Sequence, residues 1–417
     1  MPFKSTARNA FSSPFSSSFT NCFFVDPYLL NYNFLNGFPA ALTHTRASNA
    51  TYINYSGSVA TASSNVPRIT HDKDGNALGY LHEPQGTNLQ TVSTPGRSGS
   101  PWWGETNITF TPNASVSPSG ATDAVAVVAT VTSTTLHYMT RGYTAPSADT
   151  VIAMSLYAKA GAVNFLRLAL DSSSRAKSVF NLTDGSIVST GTKHVSSYAE
   201  DVGNGWWRCV LVGETSGSGN FIAYAHDDLN GATAWAGDGS ATSISVWGAQ
   251  VEEGTAATSL IPTTGAEATR QADAVADYVV AGLSAVDSFT MLMKYSPLSD
   301  ARQALFGLQS AGGPISSVYW DAQRNATQNS VVDRNDPITH PADFHSSRSA
   351  DVANMRAAFS YSSSLRLIDV NGGGATASSS TSLSTSAARG IDRLTFGDAA
   401  TNIIAKSVRL FGKSKTA

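Results

Sequence analysis

Cysteine is almost missing from this sequence: Cys22 and Cys209 are the two among 417 residues. They stand far apart and in unlike contexts, so they cannot build a disulfide framework or a four-ligand zinc site. Two free thiols are expected, and stability must come from burial, helped by oligomerisation. Charge is scarce as well. Asp, Glu, Lys and Arg make up 14% of the chain, with a formal net charge of −3. No basic cluster interleaved with aromatics occurs, so the field that attracts nucleic acid is absent. No stretch reaches the roughly 18 apolar residues of a membrane span. The first residues, MPFKSTARNAFSSPFSSSFTNCFFV, are broken throughout by Ser and Pro, and this is not a signal peptide. No membrane insertion is expected.

The usual marks of catalysis are missing too. There is no GxSxG elbow. Gly372-Gly373-Gly374 lacks the following Lys-Ser/Thr of a phosphate loop. The eight histidines are scattered without an HExxH. His340 and His345 near Asp343 read as a Pro-flanked loop, and His71-Asp72-Lys73-Asp74-Gly75 as a turn, too short and incomplete for a calcium loop. Glu252 and Glu253 are neighbours on a predicted strand, so their side chains face opposite ways. A glycosidase needs two carboxylates facing one sugar ring. One of the pair is expected to accept backbone N–H bonds from a loop and the other to face solvent. The chain is expected not to be an enzyme.

What is present is a succession of short strands bounded by Gly, Asn, Asp and Pro. Val151–Lys159 alternates as a half-buried strand does. Thr51–Ile53 and Val59–Thr61 flank a hairpin turn. The fold class expected is all-β, with two β-sandwich (jelly-roll) domains in tandem after an irregular N-terminal anchor segment. Residues 1–41, rich in Ser and Phe without periodicity, form the anchor, and 42–95 a short-hairpin connector. Residues 96–263 are the first sandwich, 264–286 a linker and 287–417 the second sandwich. In WGAQVEEGTAATSLIPT, Trp247 to Thr263, Trp247 reads as a core residue of the last strand, four before Val251.

Sandwich proteins hold sugars with aromatic faces and nearby Asn, Asp and Gln side chains. Trp206 and Trp207 are adjacent on a strand and so face opposite sides. Trp206 is assigned to the core and Trp207 to the outside. Tyr224 and Trp235 flank a polar loop with Asp227, Asp228 and Asn230. In the last domain Tyr319 and Trp320 are further candidates. His226-Asp227-Asp228 offers oxygen ligands for calcium, but a plain turn and no cofactor are expected.

Four stretches carry a family resemblance. They are TRASNATYINYSGSVATASSNVPRI, GYLHEPQGTNL, GNGWWRC (Gly203 to Cys209) and SVWGAQVEEGTAATSLIPTTGAEATRQAD. Together they resemble bacteriophage and gene-transfer-agent virion surface proteins of the head-fibre or tail-fibre kind, across roughly residues 42 to 275. His82 and Gly86 depart from that pattern, where an aliphatic and an arginine are usual. RLTFGDAATNIIAKSVRLFG is similar to concanavalin-like (laminin-G-like) jelly rolls. The resemblance implies a carbohydrate-binding-module-like sandwich on a virion surface that binds host surface glycan. It also implies attachment to other virion proteins through residues 1–41 and a homotrimer. The competing expectation is a structural capsid-decoration or tail component whose lectin-like domains serve only assembly.

Overall fold

The computed structural model describes residues 28–96, 103–145, 150–170, 176–215, 219–227, 234–283, 286–298, 304–310, 313–325, 328–333, 342–347, 355–361, 365–370, 376–379, 391–396 and 401–414, with Ser147 and Gly217. The described residues are strands, turns and 3-10 turns such as Phe34–Asn36, with no α-helix among them. The all-β expectation holds. Two pairs of antiparallel sheets stack as sandwiches.

The first sandwich has two six-stranded sheets. One runs His194–Asp201, Trp206–Glu214, Val151–Ala160, Thr242–Glu253, Ala124–Ala129, Ile108–Ser115. The other runs Ile187–Thr190, Lys177–Asn181, Phe165–Ala169, Gly219–His226, Tyr138–Tyr143, Gly104–Thr106. Their facing surfaces interdigitate through Leu156, Leu166, Leu168, Phe180, Leu211 and Phe221, all fully buried. Alternation along each strand puts these side chains on one face, and burying each stabilises by about 1.5–3 kcal/mol.

The half-buried reading of Val151–Lys159 needs correction. Ile152, Met154 and Leu156 face the sandwich interior, but Ala153, Ser155 and Tyr157 on the other face are also buried. That outer face is roofed by the connector and by the loop after Glu253: Val59 and Leu260 pack on Tyr157, Trp206 and Trp247, and Ala257 packs on Ala153 and Val210. A sheet covered on both sides has no solvent face for alternation to report.

A bulge corrects the parity of the WGAQVEE strand. Pairing with Val151–Ala160 shifts register between Ser155 and Tyr157. Opposite that shift stands Gly248, at φ +62. A Cβ there would press on the Tyr157 ring and Leu260, so glycine is needed for both conformation and space. The extra residue sends Val251 to the sandwich interior while Trp247 stays on the outer face, beside Tyr157. Trp247 is buried, as expected, but under the connector rather than between the sheets.

The second sandwich recruits the N-terminal part of the chain. Its larger sheet runs Thr376–Ser379, Leu365–Val370, Met355–Tyr361, Val286–Pro297, Ile403–Ser414, Ala77–His82, Arg68–His71. Tyr28–Asn33 pairs with the same strand Ile403–Ser414, further along it. The facing sheet runs Tyr278–Val279, Ile391–Phe396, Ala304–Ser310, Gly313–Asn325, Gln328–Asp333, Ala342–Ser347. Leu30, Phe34 and Tyr80 sit in one core with Phe289, Tyr295, Phe306, Phe396 and Leu410. Two expectations change here. Residues 28–41 are not a free-standing anchor, because their apolar side chains complete the C-terminal core. The 68–82 hairpin is not merely a connector, because it extends the C-terminal sheet. Residues 1–27 lie outside the described residues.

Candidate functional site

The resemblance motifs meet in space, on the roofed outer face of the first sandwich. Arg46 donates to Asp273 Oδ1 at 2.8 Å and to the carbonyls of Ser63 and Ser48 at 2.8 and 2.9 Å. Arg68 donates to Glu83 Oε2 at 2.7 Å, to the Thr51 carbonyl at 2.8 Å, and to Asp273 Oδ2. Glu83 accepts from Ser259 N and Ser259 Oγ, each at 2.6 Å, and has Arg270 Nε 3.7 Å away. Asp273 also accepts from Glu83 N at 2.9 Å. These ions are at most 3% exposed. Buried charges are tolerated only when paired and hydrogen-bonded, and this cluster meets that requirement across sequence separations of 205 and 227 residues.

A second hydrogen-bonded layer lies beside it. Asn88 donates to the Ile261 carbonyl at 2.9 Å and accepts from Val251 N at 3.0 Å. Gln250 Oε1 accepts from Ile261 N at 2.6 Å. Glu252 accepts from Thr258 N at 2.8 Å, and from Thr258 Oγ1 and Gln250 Nε2 at 2.6 Å each. Glu253 is exposed. The Glu252–Glu253 pair is thus a loop-holding carboxylate and a solvated one, as the alternation argument expected. The ion cluster of Arg46, Arg68, Glu83, Arg270 and Asp273 is therefore a keystone. It ties the connector, the exit loop of the first sandwich and the strand Ala268–Arg270 to one another.

Ionisation follows from this packing. Burial alone would raise the Glu83 pKa, but the attraction of Arg270 and Arg68 and the bonds from Ser259 outweigh it and hold Glu83 at about 2. Burial also opposes ionisation of Asp273, and Arg68, His82 and Arg46 reverse that, lowering its pKa. For Glu252, burial outweighs the Thr258 bonds and the attraction of Arg208 and Arg270, and its pKa is raised. His44, its Nδ1 2.9 Å from the Tyr80 hydroxyl, is pushed down to about 4 by burial, with Arg46, His82 and Arg68 adding to the effect against Asp273.

Against the keystone opens a cleft of 780 Å³. One wall is the exposed edge of the first sandwich, where Ser196, Tyr198, Glu200 and Arg208 alternate onto one face of adjacent strands. The opposite wall is the connector, with Tyr52, Ile53 and the turn His71–Asp74; the floor is Thr255–Leu260, and Pro297, Leu298 and Ile404 close the far end. Tyr198 and Tyr52 are half-buried, and Tyr198 packs against the cluster of Ala153, Val210, Val212 and Ala257. Arg208 lies over the Tyr157 ring at 5.7 Å, pairs with Glu200 at 3.6 Å and donates to the Thr258 carbonyl. Lys73 pairs with Asp74 at 3.0 Å. Asp72 holds its own turn, accepting from Asp74 N and Asn76 N at 2.9 Å each. The cleft size matches small-ligand sites, which combine apolar and aromatic lining with a few placed polar groups.

The candidates chosen from the sequence lie elsewhere. Trp207 points into the sandwich, half-buried against the interior core and lying over the turn at Gly185. Trp206 takes the other face and is buried there, donating to the Val116 carbonyl at 3.1 Å. The inside and outside assignments of the two are therefore exchanged, since the covered outer face also buries its ring. Trp235 is buried in the interior core, donates to the Ala225 carbonyl at 3.0 Å and packs on His137 at 4.8 Å. It is not a displayed ring. Tyr224 is buried on the outer face of the second sheet, between Tyr138 at 5.0 Å and the Arg167 guanidinium at 4.5 Å. Asp227 is exposed, with its carboxylate 3.9 Å from His226 Nδ1. Asp228 and Asn230 lie outside the described residues. Tyr319 and Trp320 pair with Val332 and Val331 on the strand Gly313–Asn325, and their side chains lie outside the described residues. Among the described residues no group of His, Cys, Asp and Glu is arranged to hold a metal. Tyr52, Tyr198, Glu200 and Arg208 went unselected. HVSSYAED, with a lone Tyr among polar residues on an edge strand, was the available signal.

No family model matches this chain, and no curated protein matches it. Solved structures similar to it include the CBM40 module of a Ruminococcus gnavus IT-sialidase bound to α2,3-sialyllactose. That similarity has a TM-score of 0.27 and 13% identity, over 33% of this chain and 82% of that one. Others are mouse laminin α1 domains LG4-5 (TM-score 0.23, 10% identity, 68% of this chain and 88% of that one), and the LG1-3 region of the laminin α2 chain (0.19, 10%, 68% and 60%). These neighbours are carbohydrate-binding-module and laminin-G sandwiches, and none of the three is a virion protein. Likenesses at such scores say nothing of what this chain binds.

Proposed function

We propose that this chain is a non-catalytic glycan-binding protein and that its site is the cleft between the Tyr198 edge and the Tyr52 wall. The observation that carries the reading is the cleft itself, a preformed 780 Å³ concavity with two half-buried tyrosines facing polar side chains. Partly exposed rings suit the C–H face of a pyranose, while Ser196, Glu200, Lys73 and Asp201 offer bonds to its hydroxyls. The buried carboxylates beside it, Glu83 and Glu252, are fully engaged with serine, threonine, glutamine and arginine partners. That supports binding over hydrolysis. Within this reading the protein is a virion surface fibre or spike, fixed to the particle through its first residues, trimeric, and gaining avidity from repetition of a weak site.

The test is titration of the full chain with host-surface polysaccharide fragments, followed by Tyr198→Ala and Tyr52→Ala. Each substitution removes one stacking ring and is expected to weaken binding about tenfold while the circular dichroism and melting of the protein stay close to the parent's. Undiminished binding by both variants would remove the cleft as the site. An assembly role is favoured by one observation: the motifs that resemble those of virion proteins are engaged in the internal keystone. If the folded chain binds no glycan yet is incorporated into particles, that role replaces the first.

A further inference from the structure

Five carboxylates line the cleft: Asp72, Asp74, Glu83, Glu200 and Asp201. The cations lining it are Lys73 and Arg208, with His71 the one histidine. Glu83 is neutralised from behind by Arg68 at 2.7 Å, Asp74 is paired with Lys73 at 3.0 Å, and Glu200 with Arg208 at 3.6 Å. Lys73 also attracts Asp72 and Asp201, so three aspartates share one ammonium and the negative charge stays in excess. His71 donates from Nδ1 to the Ile53 carbonyl at 3.2 Å. Asp72 is held ionised by its turn, above all by the Asn76 side chain. Arg208, the cation best placed to meet an acidic sugar, is 6% exposed and already bound to Glu200 and the Thr258 carbonyl.

We propose that the cleft selects glycans that carry no acidic group and favours those with a free amino group. This rests on the reading of the cleft as a glycan site and names its substrate class. A carboxylated or sulfated sugar entering the cleft meets an excess of negative charge, and the one buried guanidinium must leave two partners to greet it. An amino sugar meets Asp201 and Asp72 instead. At about 6 Å in water a single such charge pair is worth roughly a threefold change in affinity, and more as the ligand displaces water. The effect falls with ionic strength.

The experiment prints amine-bearing, uncharged and acidic oligosaccharides of matched length on one array and probes them with the full chain at low salt and at 0.5 M NaCl. Glucosamine, N-acetylglucosamine and galacturonic acid oligomers serve as the solution probes in calorimetry. The expected order at low salt is amine-bearing first, uncharged second, acidic last, with the spread narrowing in high salt. Asp201→Asn keeps the acceptor that holds Gly203 N at 2.9 Å and is expected to reduce the preference for amine over acid about threefold. Asp201→Lys is expected to reverse the sign of the salt dependence for the acidic class. Acidic glycans binding as tightly as the others at low salt, or a preference unmoved by both substitutions, would overturn the selectivity and leave the cleft as a glycan site. Absence of binding across all three classes by the folded protein would overturn the glycan reading itself, and this inference with it.

Discussion

Glu83 shows at the scale of one residue how the motifs act. Its buried carboxylate meets two arginines, a serine hydroxyl and a backbone N–H. Removing one member of such a buried set leaves the others charged and unpaired, at a cost of about 3–5 kcal/mol. Arg68→Met is therefore expected to lower the denaturation midpoint sharply, and an equilibrium urea titration measures it. The tryptophans behave differently from the sequence expectation for a related reason. Trp235→Ala opens a cavity in the sandwich interior and is expected to cost about 3–5 kcal/mol, with any glycan affinity of the remaining folded protein unchanged. Thermal melting beside a binding titration separates the two effects. Nothing in the Trp206-Trp207 dipeptide tells which ring is inside. Alternation only makes them opposite, and the cover over the outer face is supplied by residues far away in sequence.

At the scale of the element, the strand Ile403–Ser414 is decisive. One edge pairs with Val286–Pro297, and the other is shared by Tyr28–Asn33 and Ala77–His82. Cutting the chain at residue 96 removes both partners on that edge together with Phe34 and Tyr80 from the core. A fragment beginning there is expected to lose the second sandwich, or to associate through the bared edge. Protease resistance of residues 287–417 and light scattering, compared with the full chain, check this. The strand Thr242–Glu253 makes the opposite point. Its sequence alternation is regular, yet the Gly248 bulge swaps the faces halfway along. Gly248→Ala is expected to destabilise by strain at φ +62 and by contact with Tyr157 and Leu260, read as a lowered melting temperature.

For the whole molecule, acid is the informative variable. His44 has a folded pKa of about 4 against 6.5 for the free side chain. Between those values the unfolded chain binds the extra proton, so stability falls as pH drops from 6.5 to 4. Glu83 has a folded pKa of about 2 against 4.5. Its contribution is complete above 4.5 and is lost as pH falls through 2, again because the unfolded state protonates first. Both act in one direction, and both groups sit in the keystone between the sandwiches. The expected outcome is a stability that declines continuously from pH 6.5 downward, with the lower limb flattened in Glu83→Gln. Urea midpoints measured at several pH values give the curve. Unfolding at neutral pH is expected to be a single transition, because the N-terminal strands and the keystone tie the two sandwiches together.

Alternation and turn residues alone determined that this chain is all-β and built of stacked sheets, and the opposed directions of Glu252 and Glu253 followed from the period of a strand. These are local properties, set by sterics within a few residues. The motif segments were visible too, but only as patterns. Their meeting in one buried ion cluster depends on contacts such as Arg46 with Asp273, which no local rule encodes. The cleft belongs to the same class, since its walls come from the edge of one sandwich, the connector and the end of the other. Which rings were buried, which tyrosines were left facing a cavity, and where the N-terminal strands docked were decided by the tertiary structure. Each depends on what covers a surface, and the covering residues come from other segments of the chain, as Val59 covers Tyr157 and Tyr28–Asn33 pairs with Ile403–Ser414.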